Sequence, residues 1–142
     1  MFYFSYGSNM DKNQMLERKC IFHKSYRAIL KDHKLVFNKK SQKIPQITFA
    51  NIAISKNDIV EGVLYEIDDI KCLDKYEGYP NHYDRKEMEL ESNGEKIKAW
   101  VYIAQEEWLT NFGKPTKEYI HHLLEGREYL SADYYSKISN YI

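Results

Sequence analysis

Apolar positions define a short strand at the beginning of the chain. The run Phe2–Tyr6 contains four aromatic residues and ends at Gly7-Ser8-Asn9, a pattern that indicates a buried strand followed by a tight turn. Asp11 is placed to cap a helix of about Asp11 to Lys19, with Gln14 completing a capping box. Backbone N–H groups of this turn and of the first helical turn can then converge on one point, which suits an anionic or strongly polarised oxygen. A purely structural role for Gly7 is equally open from these residues alone.

Alternation of apolar and polar positions predicts further strands along the first half of the chain. The predicted strands are Tyr26 to Leu30, Lys34 to Phe37, Phe49 to Ile54 and Ile59 to Ile67. Gly62 lies inside the last of these strands, which is typical of a place where another backbone approaches too closely for a side chain.

Two polar features interrupt this apolar pattern. Lys39, Lys40 and Lys43 fall in a polar stretch that ends at Pro45, which we interpret as a solvated loop rather than a lid or a phosphate-binding patch. Asn51 lies among apolar neighbours and needs hydrogen-bond partners. We favour an adjacent strand over a bound substrate as its partner.

A short helix is predicted from Asp68 to Gly78, with the glycine ending it. Ile70 and Leu73 recur at helical spacing, and the same stripe reaches Glu77, so that a carboxylate falls on the inward face. Burial and the negative end of the helix dipole both oppose ionisation, and we therefore expect a raised pKa for Glu77. The alternative is a helix-end carboxylate paired with a surface lysine such as Lys75.

The remaining pattern predicts a hairpin and two terminal helices. Asn93-Gly94, between strands His82 to Leu90 and Lys96 to Ala104, is a strong hairpin motif, and Thr116 and Ser131 are predicted helix caps. Long crossover helices between successive strands are missing. The element order therefore favours an α/β mixed (α+β) fold, with a mixed sheet or partly closed β-barrel and flanking helices, over a doubly wound parallel sheet.

Composition fits a single domain over residues 1–142, because 43% of the residues are hydrophobic. The 21 Lys and Arg residues balance 21 Asp and Glu residues, so the overall charge does not favour a nucleic-acid partner. No stretch has the length of a membrane span and the N-terminal apolar run is too short for a signal peptide, so we expect a cytoplasmic protein that does not bind membranes. Cys20 and Cys72 lack a metal-binding spacing and predict two reduced thiols, and no metal site is predicted.

Several motifs together resemble the γ-glutamylcyclotransferase-like family. Tyr3-Phe-Ser-Tyr-Gly-Ser-Asn9 resembles its opening motif, Gly62-Val-Leu-Tyr65 its strand before the catalytic helix, and Leu73-Asp-Lys-Tyr-Glu-Gly78 its catalytic segment. Tyr83 and Arg85 follow as a tyrosine and a basic residue do in the family. Pro115-Thr-Lys-Glu-Tyr119 resembles the segment that brings a tyrosine to the pocket, and Leu123 to Tyr135 resembles its closing helices. Ser5, where many members carry alanine, and the lysine-bearing stretch Lys39 to Lys43 depart from the family pattern.

The resemblance implies an intramolecular acyl transfer that needs no cofactor. The α-amine of a γ-glutamyl compound attacks its own γ-carbonyl, which closes 5-oxoproline and expels the acylated amine. Glu77 matches the acid/base glutamate, and the residues that match the substrate pocket are Tyr3, Phe4, Ser5, Tyr6, Gly7, Ser8, Asn9 and Tyr119. The expected partner is a small γ-glutamyl compound. Peptides derived from glutathione, γ-glutamyl amino acids, γ-glutamylamines and a γ-glutamyl-protected metabolite all stay open, as does the oligomeric state.

Other interpretations compete with this one. A noncatalytic module binding a γ-glutamyl or carboxylated ligand is the main alternative, although a binder of an anion gains nothing from a buried carboxylate at position 77. A nucleophilic Ser8 lacks His and Asp partners that the sequence identifies, and His121 and His122 are adjacent on a helix, which does not make a metal pair. For Tyr119, packing in the core beside Ile120 is an equally open role.

Overall fold

The computed structural model describes residues 1–142 as five strands that close into a barrel, with helices around it. The strands are β1 (Phe2–Ser5), β2 (Phe22–Lys40), β3 (Thr48–Ile67), β4 (Tyr83–Ser92) and β5 (Glu95–Ala104). The helices are α1 (Lys12–Glu17), α2 (Lys71–Glu77), α3 (Lys117–Leu124) and α4 (Ala132–Ser139), and short 3-10 turns lie at Ser8–Met10, Glu106–Trp108 and Arg127–Tyr129. The strand order is β1-β3-β2-β4-β5, closed by a parallel contact between β5 and β1. The predicted α+β fold, with a mixed sheet or partly closed barrel and flanking helices, is thus confirmed, and the barrel is closed.

The four strands predicted in the first half of the chain are parts of two long ones. β2 and β3 pair antiparallel along nearly their whole lengths, and the register shifts between Lys31 and His33 and between Val36 and Lys39. A β-bulge lets a strand bend and continue where the side-chain alternation breaks. The breaks in the side-chain alternation therefore led to two short strands being predicted where the structure has one long strand, in β2 and again in β3.

Close backbone approach explains the glycine inside β3. A Cβ atom at Gly62 would collide with the carbonyl oxygen of Ser5 and with the ring of Phe4. The contact brings β1 against β3, which antiparallel pairing of Ser5 with Val63 also shows. The predicted reason for the glycine is confirmed.

Local turn and cap chemistry agrees with the sequence. Asn93 and Gly94 have φ angles of 51° and 79°, the left-handed pair that a two-residue hairpin turn needs. The hydroxyls of Thr116 and Ser131 accept hydrogen bonds from the N–H groups of Tyr119 and Tyr134 and so cap α3 and α4. None of the helices is long and apolar enough to cross a bilayer.

The two cysteines form a disulfide, so the prediction of two reduced thiols is wrong. Cys20 follows α1 and Cys72 lies in α2, and their Cα atoms are 5.5 Å apart. No spacing motif marks this disulfide in the sequence, because the pairing depends on how the fold brings α1 and α2 together. The cysteines no longer support a reducing compartment, and cytoplasmic location stays a prediction.

Candidate active site

A cavity of about 560 Å³ is lined by strands of the barrel and by flanking helices and turns. Its wall contains the whole segment Tyr3–Asn9, the C-terminal end of β2, the end of α2 and the start of α3. Every residue predicted for the site therefore lies in one cavity wall, namely Tyr3, Phe4, Ser5, Tyr6, Gly7, Ser8, Asn9, Glu77 and Tyr119. The structure brings them together, and their roles stay predictions.

The turn after β1 is held by α1. The Asp11 side chain accepts hydrogen bonds from the N–H groups of Asn13 and Gln14, which confirms it as the N-cap. The predicted capping box is wrong in one half, because the Gln14 amide donates to Ser8 Oγ (2.8 Å) and Asn9 Oδ1 (3.0 Å) instead of returning to the cap. Gln14 thus fixes the turn that faces the cavity.

Backbone donors of this turn line the cavity, and the N–H of Ser8 lies near the Tyr119 hydroxyl. The N–H groups of Gly7, Ser8 and Asn9 take part in no turn, loop or cap hydrogen bond to a backbone carbonyl. The space in front of them is narrow, since a Cβ atom at Gly7 would lie 3.2 Å from the Tyr119 hydroxyl. A glycine there lets a ligand oxygen approach the backbone closely.

Tyr6 and Tyr119, two of the tyrosines predicted for the pocket, differ in whether their hydroxyl hydrogen is free to bind a ligand. Tyr6 donates its hydroxyl hydrogen to the carbonyl oxygen of Tyr102 at 2.6 Å, so that hydrogen serves the fold. The Tyr119 hydroxyl accepts from the N–H of Ala50 at 3.1 Å and keeps its own hydrogen for another acceptor. Its ring packs against Phe49 while the hydroxyl reaches the cavity, so Tyr119 serves packing and can also face a ligand.

Ser5 presents an unsatisfied polar group to the cavity. Its Oγ is buried and has no hydrogen-bond partner. The Ser5 hydroxyl is near enough to lower the pKa of Tyr3, but the two hydroxyls are not aligned for a hydrogen bond. Buried hydroxyls in native proteins normally have a partner. A ligand atom in the cavity would supply one.

Glu77 is the last residue of α2 and lies half-buried in the cavity wall. Gly78 ends the helix with a φ of 64°, a left-handed conformation that confirms it as the cap. Burial raises the pKa of Glu77 from its ordinary 4.5 to about 7, while the positive charges of Arg18 and Lys39 oppose the rise. The raised pKa has the predicted direction. The alternative ion pair with Lys75 does not form.

Contacts one turn earlier in α2 hold the glutamate in place. Leu73 is almost completely buried in the core. One turn before Glu77, Asp74 Oδ1 accepts the Tyr102 hydroxyl hydrogen at 2.7 Å and lies 2.9 Å from Arg85 Nε, an ion pair without hydrogen-bond alignment. Arg85 and Tyr102 therefore anchor α2, the helix that carries Glu77.

Two polar side chains whose roles the sequence left open have hydrogen-bond partners within the protein. Asn51 accepts a hydrogen bond from the N–H of Ala104 (2.9 Å) and donates one to Asn38 (3.0 Å), which confirms its structural role. His122 forms a 2.7 Å pair with the helix cap Asp11, a pairing that the sequence did not suggest. Ser8 is bonded to Gln14 and not to that histidine, so the three do not form a hydrolytic triad.

Lys39 is the main cavity residue that sequence reasoning missed. The predicted solvated loop is wrong for Lys39 and Lys40, because both belong to β2, and Lys39 is only 5% exposed. The bulge after Val36 changes which face of β2 each later side chain takes, and it directs Lys39 into the wall. No pattern in a single sequence marks such a bulge, although the departure of this stretch from the family pattern pointed to the region.

The fold and cavity define a small α+β barrel protein with a pocket for a small polar molecule. The family model described as gamma-glutamyl cyclotransferase, AIG2-like, matches residues 3–130. The chain therefore belongs to this family, as the sequence motifs predicted. No curated protein matches the chain.

Solved structures share the fold over the whole chain. YkqA from Bacillus subtilis is 26% identical with a TM-score of 0.83, covering 99% of this chain and 53% of YkqA. An uncharacterized human protein is 26% identical with a TM-score of 0.81, covering 99% and 87%. A protein named gamma-glutamyl cyclotransferase is 24% identical with a TM-score of 0.81, covering 100% and 88%. The chain thus spans about half the length of YkqA.

Proposed function

We propose that the protein is a γ-glutamylcyclotransferase that converts a γ-glutamyl compound into 5-oxoproline and a free amine. The observation that carries the proposal is the placement of Glu77, whose pKa is about 7, in the same cavity wall as the segment Tyr3–Asn9. A carboxyl group that titrates near neutrality can accept and return a proton at physiological pH. This is the property that an acid/base residue of the reaction needs.

Glu77 carries the protons of the proposed reaction. Its carboxylate takes a proton from the α-ammonium group, and the freed amine attacks the γ-carbonyl carbon to form a tetrahedral oxyanion. The bond to the original amide nitrogen then breaks. Two protons in all pass from the attacking to the leaving nitrogen, one at a time, and the leaving group departs as an ammonium. One C–N bond forms and one breaks with no change of oxidation state, so the reaction balances without a cofactor.

The turn after β1 supplies positioning and charge stabilisation in this proposal. The N–H groups of Gly7, Ser8 and Asn9, which donate to no backbone carbonyl, are suited to a substrate carboxylate or to the oxyanion. The Tyr119 hydroxyl, which has a hydrogen to donate, is suited to a second oxygen of the substrate. Holding the glutamyl chain curled brings its amine and carbonyl together, which removes most of the entropic cost of ring closure.

A noncatalytic binding module is the alternative that must be separated from the enzyme. The positive charges of Arg18 and Lys39 lower the pKa of Glu77, and no hydrogen bond to its carboxyl group contributes to that pKa. A module that only binds a carboxylated ligand would be hindered by this negative charge, because like charges repel strongly where water is scarce. An acid/base role in an enzyme explains why a carboxyl group stands at position 77, whereas a binding module does not explain it.

Release of 5-oxoproline tests the proposal directly. The protein would be incubated with a panel of γ-glutamyl amino acids, γ-glutamylamines and γ-glutamyl peptides, and the product measured by mass spectrometry. The matched control is the α-glutamyl isomer of each compound, in which no amine is attached to the γ-carbonyl. We expect product from at least one γ-linked compound and from no α-linked isomer. Tight binding of a γ-linked compound without product would contradict the enzyme and support the binding module.

A further inference from the structure

We infer that Lys39 selects γ-glutamyl substrates whose amine half carries a carboxylate, such as γ-glutamyl amino acids and peptides, over γ-glutamylamines. The inference rests on the proposed function, because it names the class of substrate that the same cavity takes. It is carried by a buried cation in the cavity wall that forms no ion pair in the protein.

The ammonium group of Lys39 forms no ion pair, although the charge of Glu77 acts on it. Lys39 is 5% exposed, yet none of the chain's ion pairs includes it. Its Nζ donates to Nδ1 of His82 at 2.9 Å and lies 4.5 Å from the centre of the Trp108 ring. A neutral imidazole and an aromatic face stabilise a cation only in part, and a buried charge without an ion-pair partner is costly. An anionic group bound in the cavity would complete this environment.

The position of the ammonium is fixed before any ligand arrives. His82 is anchored through its backbone N–H to the carbonyl of Gly78 at 2.8 Å, and its ring stacks on Trp108 at 4.0 Å between centres. Burial and the neighbouring Lys39 charge lower the pKa of His82, which keeps the imidazole neutral and able to accept the Lys39 hydrogen bond. A cation held in one place binds an anion with little loss of side-chain entropy.

A second cation reaches the cavity from a different element. Arg18 follows α1 and donates to Asn9 Oδ1 at 3.0 Å, so it lies at the turn whose N–H groups we propose for a substrate carboxylate or the oxyanion. Lys39 lies at the end of β2 beside His82 and Trp108, and both cations influence Glu77. The proposed acid/base residue must serve the attacking and the leaving nitrogen, and therefore lies between the two halves of the substrate. One cation for each half matches a substrate with two carboxylates.

Two substrates that differ only in one charge test the inference. γ-Glutamyl-L-alanine and γ-glutamyl-L-alanine amide have the same skeleton, and only the first has a carboxylate on its amine half. For the wild type we expect kcat/KM to be at least about tenfold higher for the acid, mainly through a lower KM, as for a hydrogen bond to a charged group. Lys39→Met should remove at least about tenfold from the acid and leave the amide within about threefold. Any change that the variant causes at Glu77 acts on both substrates and cancels in their ratio.

The matched control is Lys40→Met, which removes an exposed charge at the next position of the same strand and should leave the ratio unchanged. Thermal unfolding shows whether each variant is folded. If Lys39→Met does not fold, the wild-type ratio decides alone. Equal use of acid and amide by the wild type, or equal losses for both in Lys39→Met, would overturn the role of Lys39 and leave the cyclotransferase proposal standing. No 5-oxoproline from either compound or from the wider γ-glutamyl panel would overturn the proposed function itself.

Discussion

At the scale of single residues, Glu77 shows how one side chain depends on opposing influences. Burial favours its neutral form, whereas the charges of Arg18 and Lys39 favour its ionised form, and the result is a pKa of about 7. The helical stripe in the sequence was enough to predict inward placement and the direction of the pKa shift. It did not reveal the two cations, because Arg18 and Lys39 reach the cavity through tertiary packing.

The raised pKa of Glu77 predicts a pH-dependent stability difference. Below about pH 4.5 Glu77 is neutral in both the folded and the unfolded protein, and it does not lower the free energy of unfolding. As the pH rises through about 7 the free energy of unfolding falls, because only the folded state resists the ionisation of Glu77. Glu77→Gln, which stays neutral, should therefore be more stable than the wild type at pH 8 by about 2–3 kcal/mol and lose this advantage at pH 4. Thermal unfolding at both pH values measures the difference. Glu118→Gln, at an exposed position in the same cavity wall, is the control, and a gain for Glu77→Gln that does not vary with pH would contradict the shift.

The unpaired hydroxyl of Ser5 predicts a separation of stability from activity. Removing a buried hydroxyl without a partner should not destabilise the fold, so the melting temperature of Ser5→Ala should equal or exceed that of the wild type. If the substrate supplies the missing partner, kcat/KM should fall about fivefold, equivalent to about 1 kcal/mol. Unchanged kcat/KM would show that the hydroxyl does not contact the substrate.

At the scale of elements, the sequence predicts what local chemistry determines. Thr116, Ser131 and Asn93-Gly94 act through hydrogen bonds and φ angles of their immediate neighbours, and each is found where it was predicted. The continuity of β2 and β3, the bulge that turns Lys39 inward and the disulfide all depend on a distant partner segment. Periodicity along one chain does not contain that information.

The disulfide predicts a large loss of stability when either cysteine is replaced. Cys20 and Cys72 are 52 residues apart, so the crosslink removes much conformational freedom from the unfolded chain. Cys72→Ser should lower the free energy of unfolding by about 4 kcal/mol on a loop-entropy argument. Urea unfolding measures this loss, and Cys20→Ser should match it because both variants remove the same bond. A reducing agent should destabilise the wild type but neither variant; if it leaves the wild type unchanged, the crosslink does not contribute.

The contact between β1 and β3 predicts that Gly62 tolerates no side chain. Gly62→Ala should cost about 2–3 kcal/mol, because the Cβ atom meets the backbone of Ser5, which cannot move without separating the two strands. Gly94→Ala is the matched control, since a Cβ atom there has open space and only the left-handed conformation opposes it, at about 1 kcal/mol. Similar losses for the two variants in chemical unfolding would refute the close-approach explanation.

At the scale of the whole molecule, barrel closure gathers distant segments around one cavity. β1 and its turn, the end of β2, the end of α2 and Tyr119 of α3 form its wall. The sequence could name most of this wall only through motifs shared with the family, because hydrophobic periodicity does not show which strand ends meet. Arg18 and His82 lay outside those motifs and were missed, and Lys39 lay in the stretch that departs from them.

The clearest test of the acid/base role compares the wild type with Glu77→Gln on the best γ-glutamyl substrate of the panel. We expect the variant to fold and to bind that substrate at least as tightly in equilibrium titration, because the amide keeps the shape and removes the negative charge. Its release of 5-oxoproline should fall at least about a hundredfold, since the amide cannot transfer protons. Cyclisation by Glu77→Gln at the wild-type rate would contradict the acid/base role of Glu77.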